Sequence, residues 1–151
     1  RLSAAVEEVV IITRPDLVSA LEADESLIQP FDHADQGMGA SLAFGMKFTR
    51  HWDACIVCLS DMPFVRTATY SLLIESADKD RIVIPEFNGT RGNPVVFGCK
   101  YFDSLAELEG DSGGKSLLAR YPQNLIPIKV TDSAVLTDID TQADLANLQS
   151  L

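Results

Sequence analysis

Cationic side chains are scarce in this 151-residue chain. Twelve Lys and Arg face 22 Asp and Glu, a formal net charge of −10. That field disfavours nonspecific binding to nucleic-acid backbones or anionic membranes. It does not exclude a bound nucleotide, because a metal or local cations can offset it. Cysteine is rare too, and three residues make no disulfide framework. Cys55 and Cys58 are spaced Cys-x-x-Cys, but they sit in an apolar strand pattern, where residues three apart face opposite sides. Both are read as core residues. His33 and His51 have no second ligand at metal-site spacing. No apolar run reaches the length of a membrane-spanning helix. No long apolar segment follows a basic start, so no signal peptide is expected and a cytoplasmic location is the default. No Ser-His-Asp or Cys-His arrangement stands out.

What is present is ordinary for a soluble globular protein: 46% hydrophobic and 23% charged residues. The length suits one domain over residues 1–151, and no internal repeat or linker divides it. Apolar runs predict strands at residues 9–13, 26–31, 54–59, 81–85, 93–98, 125–130 and 134–137. Helical patterns begin at Pro15-Asp16 and cover residues 40–48, 67–77 and 102–108. Another starts near Ser112, and a last one at Thr141. Thr67 is the expected cap of its helix. Strands alternating with helices predict an α/β fold with a mainly parallel sheet.

Asp61 is the most informative residue. It closes the apolar run of residues 54–60 and is followed by Met62-Pro63. A continuous apolar run reads as a strand buried on both faces, and ligands of open α/β sheets gather at the carboxyl ends of strands. A carboxylate there is a hard-oxygen ligand suited to Mg²⁺. The plainer reading is a solvated turn Asp before Pro. A second acidic feature, Asp138-Ile139-Asp140-Thr141, follows an apolar segment and precedes a helix. Its carboxylates either serve the helix dipole or share a divalent cation with Asp61 over a ligand's phosphates.

Gly113-Gly114-Lys115-Ser116 looks like a phosphate-binding P-loop, but its spacing fails. Glu109 stands where the first Gly belongs, and the preceding segment reads as helix. The segment Gly110-Asp111-Ser112-Gly113-Gly114 is either an anion-holding helix start or a helix start alone.

Four segments recur in a familiar order. They are Gly37-Met38-Gly39-Ala40-Ser41-Leu42; Leu59-Ser60-Asp61-Met62-Pro63; Ile84-Pro85 through Arg91-Gly92-Asn93-Pro94-Val95; and Gly110-Asp111-Ser112-Gly113-Gly114 with Asp138-Ile139-Asp140-Thr141. Together they resemble the MobA-like NTP transferase family, in particular its molybdenum cofactor cytidylyltransferases. The resemblance spans nearly the whole chain. It implies a Rossmann-like three-layer sandwich and transfer of a nucleoside monophosphate from an NTP to a phosphorylated acceptor, releasing pyrophosphate. The implied donor is CTP, the implied acceptor molybdopterin, and the implied partner a molybdoenzyme or maturation protein. Asp61 and Asp140 would be the catalytic metal ligands for Mg²⁺. Gly37, Met38, Gly39 and Ser41 would lie at the nucleotide, and Arg91, Asn93, Pro94, Gly110, Asp111 and Gly113 at the acceptor. An acceptor phosphate is already anionic, so positioning and charge neutralisation suffice without a strong base.

The chain departs from the family pattern at its start. Residues 1–5 resemble the helix after the family's first strand, its Gly-rich loop with Arg, and its Pro-Lys segment. Those elements are therefore expected to be missing here, leaving residues 9–13 without a neighbouring strand and with an open apolar edge. Guanylyl transfer, another small acceptor, or a non-catalytic nucleotide- or partner-binding domain are the alternatives. A receiver domain fits less well, because no acidic pair follows the first strand and no Lys sits at a late strand end.

Overall fold

The apolar runs near positions 82 and 95 form the centre of the molecule. In the computed structural model, which describes residues 6–139, β4 (Ile82–Phe87) lies between β6 (Val95–Gly98) and β7 (Leu125–Lys129). β3 (Ala54–Val57) pairs with the outer side of β6. Residues of period two divide between the two faces, as the pleat requires. Ile82, Ile84, Val95 and Phe97 pack on one side, with Leu105 and Leu117. Val83 and Val96 pack on the other, with Leu73. Helices α3 (Phe102–Ala106) and α4 (Lys115–Arg120) thus cover one face, and α2 (Thr67–Glu75) covers the other. That is a three-layer α/β arrangement.

The sheet is mixed rather than mainly parallel. β6 runs antiparallel to both β3 and β4, whereas β7 runs parallel to β4. The cause is local. Phe87 pairs with Thr90 across Asn88 and Gly89, both at positive φ (49° and 83°). A two-residue Asn-Gly turn of this kind folds the chain straight back. The short β5 (Thr90–Arg91) continues that hairpin.

Two further strands stand apart, and the first is not without a neighbour: another segment, residues 28–30, pairs with it. β1 (Ile11–Thr13) and β2 (Ile28–Pro30) form their own parallel pair. Helix α1 (Met38–Gly45) packs against β1 and α3 and so connects the pair to the rest. No strand pairing joins β1 to β3 among the described residues. Between them lies a trough of about 2210 Å³ lined by Ile11 and Ile12 on one side and Cys55, Ile56 and Val57 on the other. β3 is therefore not buried on both faces: only Cys55 is buried, and its neighbours are partly open. At one end of the trough Glu8 bridges the gap. Its carboxylate accepts from Trp52 Nε1 at 3.0 Å and contacts His51 Nε2 at 3.1 Å.

Other expectations change, among them the helix from Pro15, which is a 3₁₀ helix over Pro15–Ala20, and the one near Ser112, which starts at Lys115. Residues 134–137 are not a strand; Ser133–Leu136 is a 3₁₀ turn, because the Asp132 side chain accepts from Ala134 N and starts it. Thr67 does not cap α2; it is the first helical residue, and Arg66 precedes it without a side-chain cap. The predicted helix 40–48 starts earlier, at Met38, and tightens to a 3₁₀ turn over Met46–Phe48. The expected helix at Thr141 lies outside the described residues.

Candidate functional site

Asp61 sits where β3 leaves the sheet. The chain passes Cys58, Leu59 and Ser60, and the Met62 N–H then closes a turn onto the Leu59 carbonyl at 3.4 Å. Met62 and Val65 are buried against Tyr70 of α2 and hold the turn from below. Asp61 is half-buried, and its Oδ1 is fully enclosed without a hydrogen-bond partner. A buried polar atom left unpaired costs roughly 1–3 kcal/mol. A cation at that oxygen removes the cost. The Asp61 carbonyl oxygen is engaged separately, accepting from Ile139 N at 2.8 Å.

Residues of two loops line the trough together with Asp61. Gly37 opens α1, and Gly39 N donates to the Gly110 carbonyl at 2.7 Å. A Cβ at Gly39 would stand 2.7 Å from that oxygen and 2.8 Å from the Glu109 carbonyl oxygen. Only glycine permits the approach. Ser41 Oγ donates back to Gly37 O at 3.3 Å, so its proton is spent inside the helix start.

Of the residues singled out in the sequence, Gly37, Met38, Ser41 and Asp61 line the trough. So do Arg91, Asn93, Asp111 and Gly113. Three do not. Gly39 is buried beneath Gly110, and Pro94 is buried behind Asn93. Gly110 faces a smaller depression of about 460 Å³ beside Phe31 and Phe44. Asp140 lies outside the described residues. Asp138 borders the trough. Among the described residues no three His, Cys, Asp or Glu side chains cluster closely enough to hold a metal. Asp61 and Asp138 border the same trough, and their carboxylates are hard-oxygen donors of the kind a divalent cation takes.

Charge supports that fit. Asp35, Asp61, Asp111 and Asp138 line the trough, against Arg91 and Lys115. An anionic ligand in such surroundings is favoured by a divalent ion beside it. Lys115 carries no local signal of its role, because Gly113-Gly114-Lys115 lacks the P-loop spacing that would mark it. Asp132, buried and multiply bonded, was missed as well. Its signal is an Asp directly before a helical turn, placed to accept from the N–H two residues on, as in Asp132-Ser133-Ala134.

Burial decides the cysteines. It pushes the thiols of Cys55 and Cys58 up to about 12, and for Cys55 the nearby Cys58 adds to the effect. All three cysteines are free.

The MobA-like NTP transferase domain matches residues 1–125. The chain belongs to that family. No curated protein sequence matches it. Among solved structures, this MobA-like chain is similar to Rv0371c of Mycobacterium tuberculosis H37Rv, with 21% identity and a TM-score of 0.82 over 99% of this chain and 84% of that one. A second Rv0371c structure, a complex with manganese, gives 22% identity, a TM-score of 0.82, and coverage of 99% and 83%. The molybdopterin-guanine dinucleotide biosynthesis protein A of Archaeoglobus fulgidus gives 21%, 0.60, and coverage of 93% and 76%. At these identities the likenesses speak for the fold. The MobA-like domain thus has a nucleotidyltransferase fold, and one structural relative carries a divalent metal. No helix among its described residues is long and apolar enough to cross a membrane.

Proposed function

We propose that the trough beside Asp61 is a nucleotidyl-transfer site. It would move a nucleoside monophosphate from an NTP to a phosphorylated small-molecule acceptor. An acceptor phosphate oxygen forms the new bond to the α-phosphorus. The bond from that phosphorus to the bridging oxygen breaks, and pyrophosphate leaves. No proton need be removed from an anionic acceptor, consistent with the lack of a Ser-His-Asp arrangement.

The observation that carries the reading is the enclosed, unpartnered Oδ1 of Asp61, a residue of the turn that follows β3 and one that borders the trough. Asp61 and Asp138 would hold a divalent cation, with Mg²⁺ the expected ion and Asp140 the further candidate. Such an ion neutralises phosphate charge and orients the reacting groups. The chain's own contribution is positional. The Gly37–Gly39 and Gly110–Gly113 loops, locked to each other, border the ligand, and Arg91 and Lys115 offer cations to phosphate.

For the donor base we favour guanine, on the likeness to the archaeal protein named for molybdopterin-guanine dinucleotide. CTP is the second reading, carried by the Gly37-Met38-Gly39 and Arg91-Gly92-Asn93-Pro94 motifs. Molybdopterin is the proposed acceptor in both, which would make a molybdoenzyme or its maturation protein the proposed protein partner. The test is a screen of the four NTPs with molybdopterin and Mg²⁺ or Mn²⁺, following pyrophosphate release. Release with GTP above the other three is expected. Release with CTP alone would transfer the proposal to the second reading. None with any NTP, from a protein that binds no nucleotide, would sink both.

A further inference from the structure

Asp132 is 3% exposed, a degree of burial that carboxylates almost never show unless paired. Its Oδ2 accepts from Arg66 N at 2.9 Å and from Thr69 Oγ1 at 2.7 Å. Its Oδ1 accepts from Ala134 N at 3.2 Å and faces Arg66 Nε at 3.8 Å. One carboxylate therefore ties the start of α2 to the 3₁₀ turn Ser133–Leu136.

Both tethered segments lead to Asp61. From Arg66 the chain runs back through buried Val65 and Met62 to the Asp61 turn. From Ala134 it runs forward to Ile139, whose N–H donates to the Asp61 carbonyl at 2.8 Å. Midway, the Val135 carbonyl accepts from Asn93 N at 2.9 Å. A closed circuit results, with Asp132 at one end and the Ile139–Asp61 bond at the other. Asp138, which borders the trough, is carried on it.

We propose that Asp132 is a positioning residue for the cation site at Asp61. It fixes the spacing between the Asp61 turn and the segment bearing Asp138. The proposal rests on the metal reading of Asp61. Asp132 touches neither metal nor substrate; it acts through the two backbones it clamps. Outer groups of this kind set metal affinity by holding the ligands in place.

The experiment compares the 151-residue chain with Asp132→Asn, Thr69→Val and Asp61→Asn. Mn²⁺ is titrated by paramagnetic resonance, and amide hydrogen exchange is followed at Ile139 and Val83. Asp132→Asn is expected to weaken Mn²⁺ binding about tenfold or more and to speed exchange at Ile139, leaving Val83 in β4 unchanged. Thr69→Val removes one donor and keeps the carboxylate, so a smaller shift in the same direction is expected even if Asp132→Asn folds poorly. A purely structural cap would instead change stability without moving Mn²⁺ affinity or Ile139 exchange in the folded variants, and that result overturns the proposal. Asp61→Asn separates the two ideas. If it binds Mn²⁺ like wild type, the metal reading fails and the role of Asp132 fails with it. If it loses Mn²⁺ while Asp132→Asn and Thr69→Val keep it, only the role of Asp132 fails.

Discussion

Gly39 donates its backbone N–H to the carbonyl oxygen of Gly110 across 2.7 Å, joining loops 71 positions apart. A Cβ at Gly39 meets backbone oxygens, which cannot rotate away as a side chain would. Gly39→Ala is expected to destabilise the fold by about 1–3 kcal/mol, the usual scale for overpacking. Urea unfolding checks this through the midpoint. A wild-type midpoint would mean that the two loops separate freely.

Asp61→Ala should part activity from stability. The substitution removes an enclosed oxygen with no partner, so the fold is expected to hold or to gain up to about 1–3 kcal/mol. Metal-dependent pyrophosphate release should disappear. Loss of stability with transfer intact would return Asp61 to the role of a turn residue.

Trp52 is the one tryptophan and reports on the bridge across the trough. Hydrogen bonds from Trp52 and then His51 hold the Glu8 carboxyl below its usual 4.5. A depressed carboxyl contributes stability that is complete above the unfolded value and fades as pH falls through the folded one. The part of the Trp52 fluorescence change that belongs to Glu8 is therefore expected below a pH of about 4.5. Glu8→Gln should abolish that acid transition. A transition that persists in Glu8→Gln would assign it to another group.

Thiol chemistry should distinguish the cysteines. Cys55 and Cys58, raised to about 12 by burial, stay protonated at pH 8, and the thiolate is the reactive form. Native protein treated with iodoacetamide at pH 8 is expected to carry label at Cys99 well before either of them, as peptide mass spectrometry would show. Guanidinium should release all three. Prompt labelling of Cys58 in native protein would contradict the partial burial that raises its thiol.

The central strands were legible because β4, β6 and β7 are apolar runs whose length and β-branching identify them locally. Direction was harder to read. Asn88-Gly89 carries the hairpin signal, yet read as part of a turn-rich loop it left the sheet mainly parallel. The segment after Asp132 looks like a strand by hydropathy, and a single side-chain bond to Ala134 N makes it a 3₁₀ turn. At the site, Asp61 was found because a carboxylate ending an apolar strand is a local anomaly. Its unpaired oxygen was not, since that depends on what folds over it. The pairing of Gly39 with Gly110, and the inward turn of Pro94, are likewise tertiary outcomes with no local signature.

The gap between β1 and β3 has a mechanical consequence. Strands joined edge to edge resist shear through a row of hydrogen bonds loaded together. No such row crosses this seam among the described residues. Force applied between Ile12 and Ile56 would bear on α1, which packs against both β1 and α3, and on the bridge from Glu8 to Trp52. Among the described residues, load across this seam therefore passes through one helix and one side-chain bridge.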